Sequence, residues 1–147
     1  MDSKALAARL SKKYDTRDPF RLADEMGFIV IFAPLIGMRG FQQRIKRQNI
    51  IYIDEELDER QQALVCGHEM GHHFIHQGMN RIFMNLNTQF VTQKFENEAN
   101  LFSLELIFTD GDLQPFLNRS ITDAAAFMGV SVQLATWRMA TVPPYGE

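Results

Sequence analysis

The chain has four histidines, and all of them lie between positions 68 and 76. Two stand in the run His68-Glu69-Met70-Gly71-His72, which has His-Glu-x-x-His spacing. On a helix, residues four apart stand one turn above another on the same face. Two imidazoles so placed can converge on a single Zn²⁺ at about 2.0–2.1 Å. Glu69 falls about 100° round the helix from His68, off the ligand stripe but within reach of a water beside the metal. This is the arrangement of zinc hydrolases: two ligands, and a carboxylate that takes a proton from water as it attacks a carbonyl.

A catalytic zinc site needs a third protein ligand and one open position. His73 follows His72 directly and points about 100° away from it. His76 is one turn beyond His72 and would have to bend back past it, so it reads as a core group or a hydrogen-bonding support. The remaining candidates are carboxylates of the segment Phe95-Glu96-Asn97-Glu98-Ala99-Asn100-Leu101-Phe102-Ser103. A helical wheel puts Glu96, Ala99, Asn100, Ser103 and Ile107 on one stripe. Glu98 and Glu105 fall on the other side, where charges are expected to be solvated. Ala99 and Ser103 are small enough to allow close helix–helix approach, and a lone carboxylate on such a face is costly unless it is paired or bound to metal. The wheel therefore favours Glu96 over Glu98 as third ligand. Asn100, one turn on, can hydrogen-bond a ligand histidine and fix its tautomer; the competing reading is a packing residue with no metal role.

The elements that carry these residues can be read from periodicity and caps. Residues 3–14 read as a helix capped by Ser3, and a second helix starts at Asp18-Pro19 and stops at Gly27. Residues 28–32 are β-branched and aromatic and read as a buried strand; 41–45 and 49–54 read as two more, and the short connections predict an antiparallel sheet. Helical character returns near Asp58 and runs to about His76, ended by Gln77-Gly78. Residues 79–94 show no clean period and read as a loop. A helix follows over 94–108, stopped by Asp110-Gly111. Short helices complete the chain, with Ser120 and Ser131 as caps and Gly129 as a stop. The fold class is α+β, mostly helical, with a small three-stranded antiparallel sheet. The expectation is one domain over 1–147, with a catalytic core at 1–118 and a helical appendage at 119–147.

Composition sets the surroundings. The chain has 147 residues, 46% hydrophobic and 22% charged, with a net charge of −3 and one cysteine. Such a balance excludes disorder and a fibrous repeat, and an acidic chain is not built to coat nucleic acid. A lone cysteine cannot form an internal disulfide, and with no secretion signal or membrane-length apolar run the expected location is the cytoplasm. Cys66 points about 200° from His68 and reads as a core thiol.

The chain resembles the ImmA/IrrE family of zinc metallopeptidases. The resemblance rests on Ile50-Ile51-Tyr52-Ile53, on His68-Glu69-Met70-Gly71-His72, and on Glu96-x-Glu98-Ala99-Asn100-x-Phe102. Asp18-Pro19-Phe20 with Ala23 and Gly27, and Gly40-Phe41, add to it. It covers about residues 16–140 and is specific across 50–107. It implies a zincin-like, gluzincin-type fold, with His68, His72 and Glu96 as zinc ligands and Glu69 as the base. It also implies cleavage of a repressor protein of a phage, mobile element or stress regulon. The chain departs from the family at Leu106-Ile107-Phe108-Thr109, where an apolar pair, methionine and proline are common.

Weaker signals complete the reading. Arg44, Lys46 and Arg47 form a basic turn. Tyr52, His73 and Tyr145 are the candidates for an oxyanion-stabilising group. Residues 124–138 have the cadence of a helix-turn-helix but carry only Gln133 and Arg138 as base-reading side chains, so core packing is the better account. Three functions compete. The first is a zinc endopeptidase acting on a protein partner, with no direct nucleic-acid or membrane contact. The second is a non-catalytic regulatory or antitoxin-like module that holds zinc structurally. The third is a DNA-binding regulator. Substrate is expected as an extended strand along a sheet edge near 41–45.

Overall fold

The computed structural model describes residues 2–75 and 88–145, with side chains of 88–92 excepted. Its elements run α1 Ser3–Tyr14, α2 Pro19–Glu25, β1 Ile29–Ala33, β2 Gly40–Ile45, β3 Gln48–Asp54 and α3 Glu59–Ile75. After the undescribed stretch come α4 Thr88–Ile107, α5 Asp110–Leu113, a 3₁₀ turn Gln114–Asn118, α6 Ile121–Met128 and α7 Val132–Met139. The fold is α+β and dominated by helix, as the sequence predicts. Among the described residues no helix is long and apolar enough to cross a membrane.

The sheet departs from expectation in direction. Its order is β1-β3-β2, with β1 parallel to β3 and β2 antiparallel to β3. The chain reverses twice, through residues 34–39 and then through Lys46-Arg47, so β3 runs the same way as β1 and inserts between the other two. The second reversal is a two-residue turn in which Lys46 (φ 49°) and Arg47 (φ 68°) both take left-handed conformations, as a tight hairpin requires. β1 is not the buried strand its composition suggests. It is an edge, and Ile29 and Phe32 are exposed. The central strand carries the burial instead, through Ile51 and Ile53.

Two apolar clusters flank the α3–α4 pair. One joins Leu6 and Leu10 of α1, Leu22 of α2, Ile51 and Ile53 of β3, Cys66 and Met70 of α3, and Phe102 and Leu106 of α4. The other joins Leu64 of α3 and Leu104 of α4 to Leu113, Met128 and Ala135. Residues 121–142 thus pack on both central helices. Cys66 is a buried core thiol, as expected, and burial pushes its pKa up to about 12.

Most caps fall where expected: Asp18 with Pro19, Ser120, Gly129 (φ 77°) and Ser131. The cap of α1 is Asp2, not Ser3; Asp2 accepts from the backbone of Lys4 and Ala5. Ser3 instead donates to the Glu105 carboxylate. Glu105 is therefore not on a solvated face, as the wheel had it, but buried against α1. The end of α4 is gripped from both termini of the chain. Arg17 donates to the Glu105 and Leu106 carbonyls, and buried Arg138 of α7 reaches the Phe108 carbonyl and Asp110. Thr109, where the sequence departs from the family, caps α5 in a reciprocal box with Asp112.

Residues 88–94, expected as loop, are the first turns of α4. A long helix propagates at one hydrogen bond per residue once nucleated, so a weak periodicity does not stop it. His76, the Gln77-Gly78 stop and the loop expected over 79–87 lie outside the described residues.

Two tests follow from packing and burial. A Cβ on Gly71 would sit 3.0 Å from the Ala99 Cα and 3.1 Å from its carbonyl oxygen, both backbone atoms. Gly71→Ala should therefore cost about 1–3 kcal/mol despite better helix propensity, read as a lower urea midpoint at unchanged slope. Burial raises the Glu105 pKa above its ordinary value, against the pull of Ser3, Arg138 and Lys4. The folded state thus holds the proton more tightly than the unfolded chain, and stability falls as pH rises from about 4.5 through the raised folded value. Glu105→Gln keeps an acceptor for Ser3 and should raise the unfolding midpoint at pH 7–8, with the gain gone at pH 4.

Candidate active site

His68, Glu69 and His72 stand on α3, and Glu96 and Asn100 on α4. The two helices approach closely because glycine meets small residues. Gly71 lies against Ala99, and Gly67 against Ser103 so tightly that a Cβ there would collide with its hydroxyl. Ser103 Oγ donates to the Leu64 carbonyl at 2.8 Å, tying the pair together. The stripe of small residues expected on α4 does face α3.

Glu96 reaches both imidazoles across this contact. Its Oε2 is 2.8 Å from His68 Nε2 and its Oε1 is 2.9 Å from His72 Nε2, while the two Nε2 atoms are 3.1 Å apart. Ligand atoms of one tetrahedral Zn²⁺, each about 2.0–2.1 Å from the ion, stand about 3.4 Å apart. The two nitrogens, and each nitrogen and the carboxylate oxygen facing it, stand about 0.3–0.6 Å closer than that. Among the described residues this is the one group of three histidine, cysteine or carboxylate side chains able to hold a metal. Glu98 and His73 are not part of it. His73 packs its ring edge-on against Phe28 at 4.9 Å, and burial followed by the Arg44 charge lowers its pKa.

Asn100 Oδ1 lies 2.6 Å from His68 Nδ1. An amide oxygen only accepts, so Nδ1 carries a proton, and Nε2 is the His68 nitrogen that meets the cluster.

These features decide the relationship to known proteins. Residues 23–139 match the M78 peptidase family, described as the IrrE N-terminal-like domain. The chain belongs to this family. It is 37% identical over 135 residues to an uncharacterized immunity region protein 2 of Bacillus phage phi105, covering 90% of this chain and 85% of that protein. It is 31% identical over 101 residues to the metallopeptidase ImmA of Bacillus subtilis strain 168, covering 67% of this chain and 59% of that protein. The family is one of metal-dependent peptidases, so a metal ion and a protein substrate go with membership. The His68, His72 and Glu96 cluster has the donor chemistry for that metal.

The carboxylates of this M78 chain sit in contrasting surroundings. Hydrogen bonds from His68 and then His72 hold Glu96 well below the usual carboxylate range. Burial opposes protonation of His68, but the hydrogen bond and charge of Glu96 outweigh it and raise the imidazole. Glu69 is buried, lines the same cavity as the cluster, and is raised by that burial against the pull of His68, His72 and Gln42.

Gln42 is the site residue that sequence reasoning missed. From β2 its Nε2 donates to the Glu69 carbonyl at 2.8 Å and to Oε1 at 3.2 Å. The sequence offered only an amide on a strand, with no sign of its partner. Tyr52, His73 and Tyr145 do not line the cavity. Tyr52 stacks on Phe41 at 4.5 Å, and Tyr145 is exposed.

The ligand set is testable by metal binding alone. Glu96→Ala should lower zinc affinity by more than about 100-fold and Asn100→Ala by about 10–100-fold, with Glu98→Ala unchanged, in competition titrations with a chromogenic chelator.

Proposed function

We propose that the chain is a zinc endopeptidase in which His68, His72 and Glu96 hold the metal and Glu69 is the catalytic base. The observation that carries this reading is the meeting of both Nε2 atoms with the Glu96 oxygens, beside a buried carboxylate in one cavity. Two neutral imidazoles and one carboxylate leave a net charge of +1 on a zinc site. When bound, Zn²⁺ supplies Lewis acidity that polarises the scissile carbonyl and makes water easier to deprotonate.

The protein's own groups do the rest. Glu69 accepts the proton of the attacking water and delivers it to the departing amine nitrogen. Its raised proton affinity suits both halves of that transfer, because a carboxylate of ordinary acidity holds a proton too weakly to pass it on near neutral pH. Gln42 keeps Glu69 oriented from the sheet, and Asn100 keeps His68 in the tautomer that leaves Nε2 free to bind metal. The chain acts as one catalytic unit, with residues 121–142 packed onto the metal-bearing helices.

The substrate proposed is a repressor protein of a phage or mobile element, in the cytoplasm. Two things support it: the similarity to a phage immunity region protein, and the family resemblance. A structural zinc module would close its site with a fourth protein ligand, whereas three such groups meet among the described residues. The DNA-binding alternative loses its main side chain, because Arg138 is 1% exposed and committed to Asp110 and the Phe108 carbonyl.

Glu69→Gln tests the mechanism. It should bind one zinc per chain, measured by elemental analysis, and lose at least about 100-fold in cleavage of a candidate repressor, followed by mass spectrometry of fragments. Cleavage at the wild-type rate would remove the base from the mechanism.

A further inference from the structure

The cavity that holds the cluster extends well beyond it, to about 870 Å³. His72, Glu96 and Glu69 occupy one end. Towards the N-terminus of α3 the lining turns apolar, with Leu64 and Val65 on the floor and Leu104 from α4. Val130 and Leu134, at the α6–α7 junction, form one wall, and Met38 of the β1–β2 connection stands opposite. The lining at the Gln61 end carries a polar bridge. Arg39 donates to Gln61 Oε1, and Gln61 Nε2 donates to the Gly129 carbonyl at 2.8 Å. From Gln61 to His68 is about 10 Å of helix. That length is enough for a substrate side chain to lie beside the cluster.

The wall is preformed. Arg60 holds the Ala126 carbonyl at 3.2 Å, and the α6–α7 turn lies so close to α3 that a Cβ on Gly129 would be 2.7 Å from Arg60 Cδ. Besides the histidines, the charged side chains lining the cavity are Glu69 and Glu96 at the metal end and Arg39 at the Gln61 end, already engaged by Gln61. A charged side chain placed against Leu64, Val65, Val130 and Leu134 would meet no charged partner there, whereas an aliphatic one would bury apolar surface.

We infer that this pocket is the specificity site: it receives one aliphatic side chain of the substrate next to the scissile bond, and residues 130–134 form its outer wall. The position beside a scissile bond rests on the hydrolase reading above; the apolar preference rests on the lining alone.

The experiment has two arms. In the first, metal-free protein is photolysed with a blocked Gly-Gly-photoleucine-Gly-Gly peptide, and cross-links are mapped by mass spectrometry. Labelling should concentrate on Met38 and residues 130–134. An excess of the Leu peptide should suppress it, and the matching Glu peptide should not. In the second, zinc-loaded protein is titrated calorimetrically with acetohydroxamate, 4-methylpentanohydroxamate and glutaric monohydroxamate. The aliphatic probe should bind on the order of tenfold or more tighter than acetohydroxamate, and the acidic one no tighter. Leu134→Lys should reverse the order of the last two. Scattered labelling, equal competition by the Glu peptide, or equal affinity of the three hydroxamates would overturn the pocket and leave the metal centre standing. Pocket labelling with no acetohydroxamate binding would do the opposite, keeping the apolar receptor and removing the hydrolase.

Discussion

The closeness of α3 and α4 is the constraint on which the rest of the molecule depends. Glutamate has a short reach, and Glu96 touches two imidazoles of another helix only because Gly67 and Gly71 face Ser103 and Ala99. Glycine inside a helix costs about 0.8–1 kcal/mol against alanine, and α3 carries two in its central turns. That cost is offset by the separation it permits, and by apolar packing on both sides of the pair, from Phe102 and Leu106 on one flank and Leu104 on the other. The grip of Ser3, Arg17 and Arg138 on the last turn of α4 and the residues after it serves the same end. It fixes the helix axially, so that Glu96 stays level with His68 and His72.

Within that frame, two carboxylates that feel the same imidazoles are driven in opposite directions. Glu96 accepts hydrogen bonds from both rings and stays ionised, the state a metal ligand needs. Glu69 has Gln42 as its side-chain hydrogen-bond partner among the described residues and is buried, which raises its affinity for a proton. In the proposed mechanism such contrasting environments suit contrasting work, a fixed charge for one acid and a carried proton for the other. The sheet matters to this division. β3 carries the buried isoleucines that anchor the sheet on the core, and β2, hydrogen-bonded along it, brings Gln42 to the buried carboxylate.

What could be read from sequence was what depends on local periodicity. Four-residue spacing put His68 and His72 on one face, and a helical wheel singled out Glu96 and Asn100 because their stripe also held Ala99 and Ser103. Caps were legible for the same reason: Asp18-Pro19, Ser120, Gly129 and Ser131 act within one turn. What could not be read depends on partners far along the chain. Glu105 lies opposite Glu96 on the wheel and seems a solvent residue, until α1, about a hundred positions earlier, covers it with Ser3. Gln42 finds Glu69 only once β2 is laid beside α3. Strand direction failed likewise: short connections say that the chain turns, but not which strand ends in the middle.

The C-terminal segment joins these two kinds of information. Its cap, glycine stop and second cap produce a helix-turn-helix cadence that is locally genuine, since α6 and α7 form where that cadence puts them. The side chain that would read a nucleic acid is nevertheless turned inward. Arg138 spends its guanidinium on the Phe108 carbonyl, Asp110 and Thr141, at the end of the helix that carries Glu96. Swinging out to a phosphate would break all three of these contacts. The turn between α6 and α7 faces the metal-side cavity, where Gly129, Val130 and Ser131 line it. The same local pattern that elsewhere presents a helix to a groove is here fastened to the helices bearing His68 and Glu96, and its exposed product is a wall of the cavity.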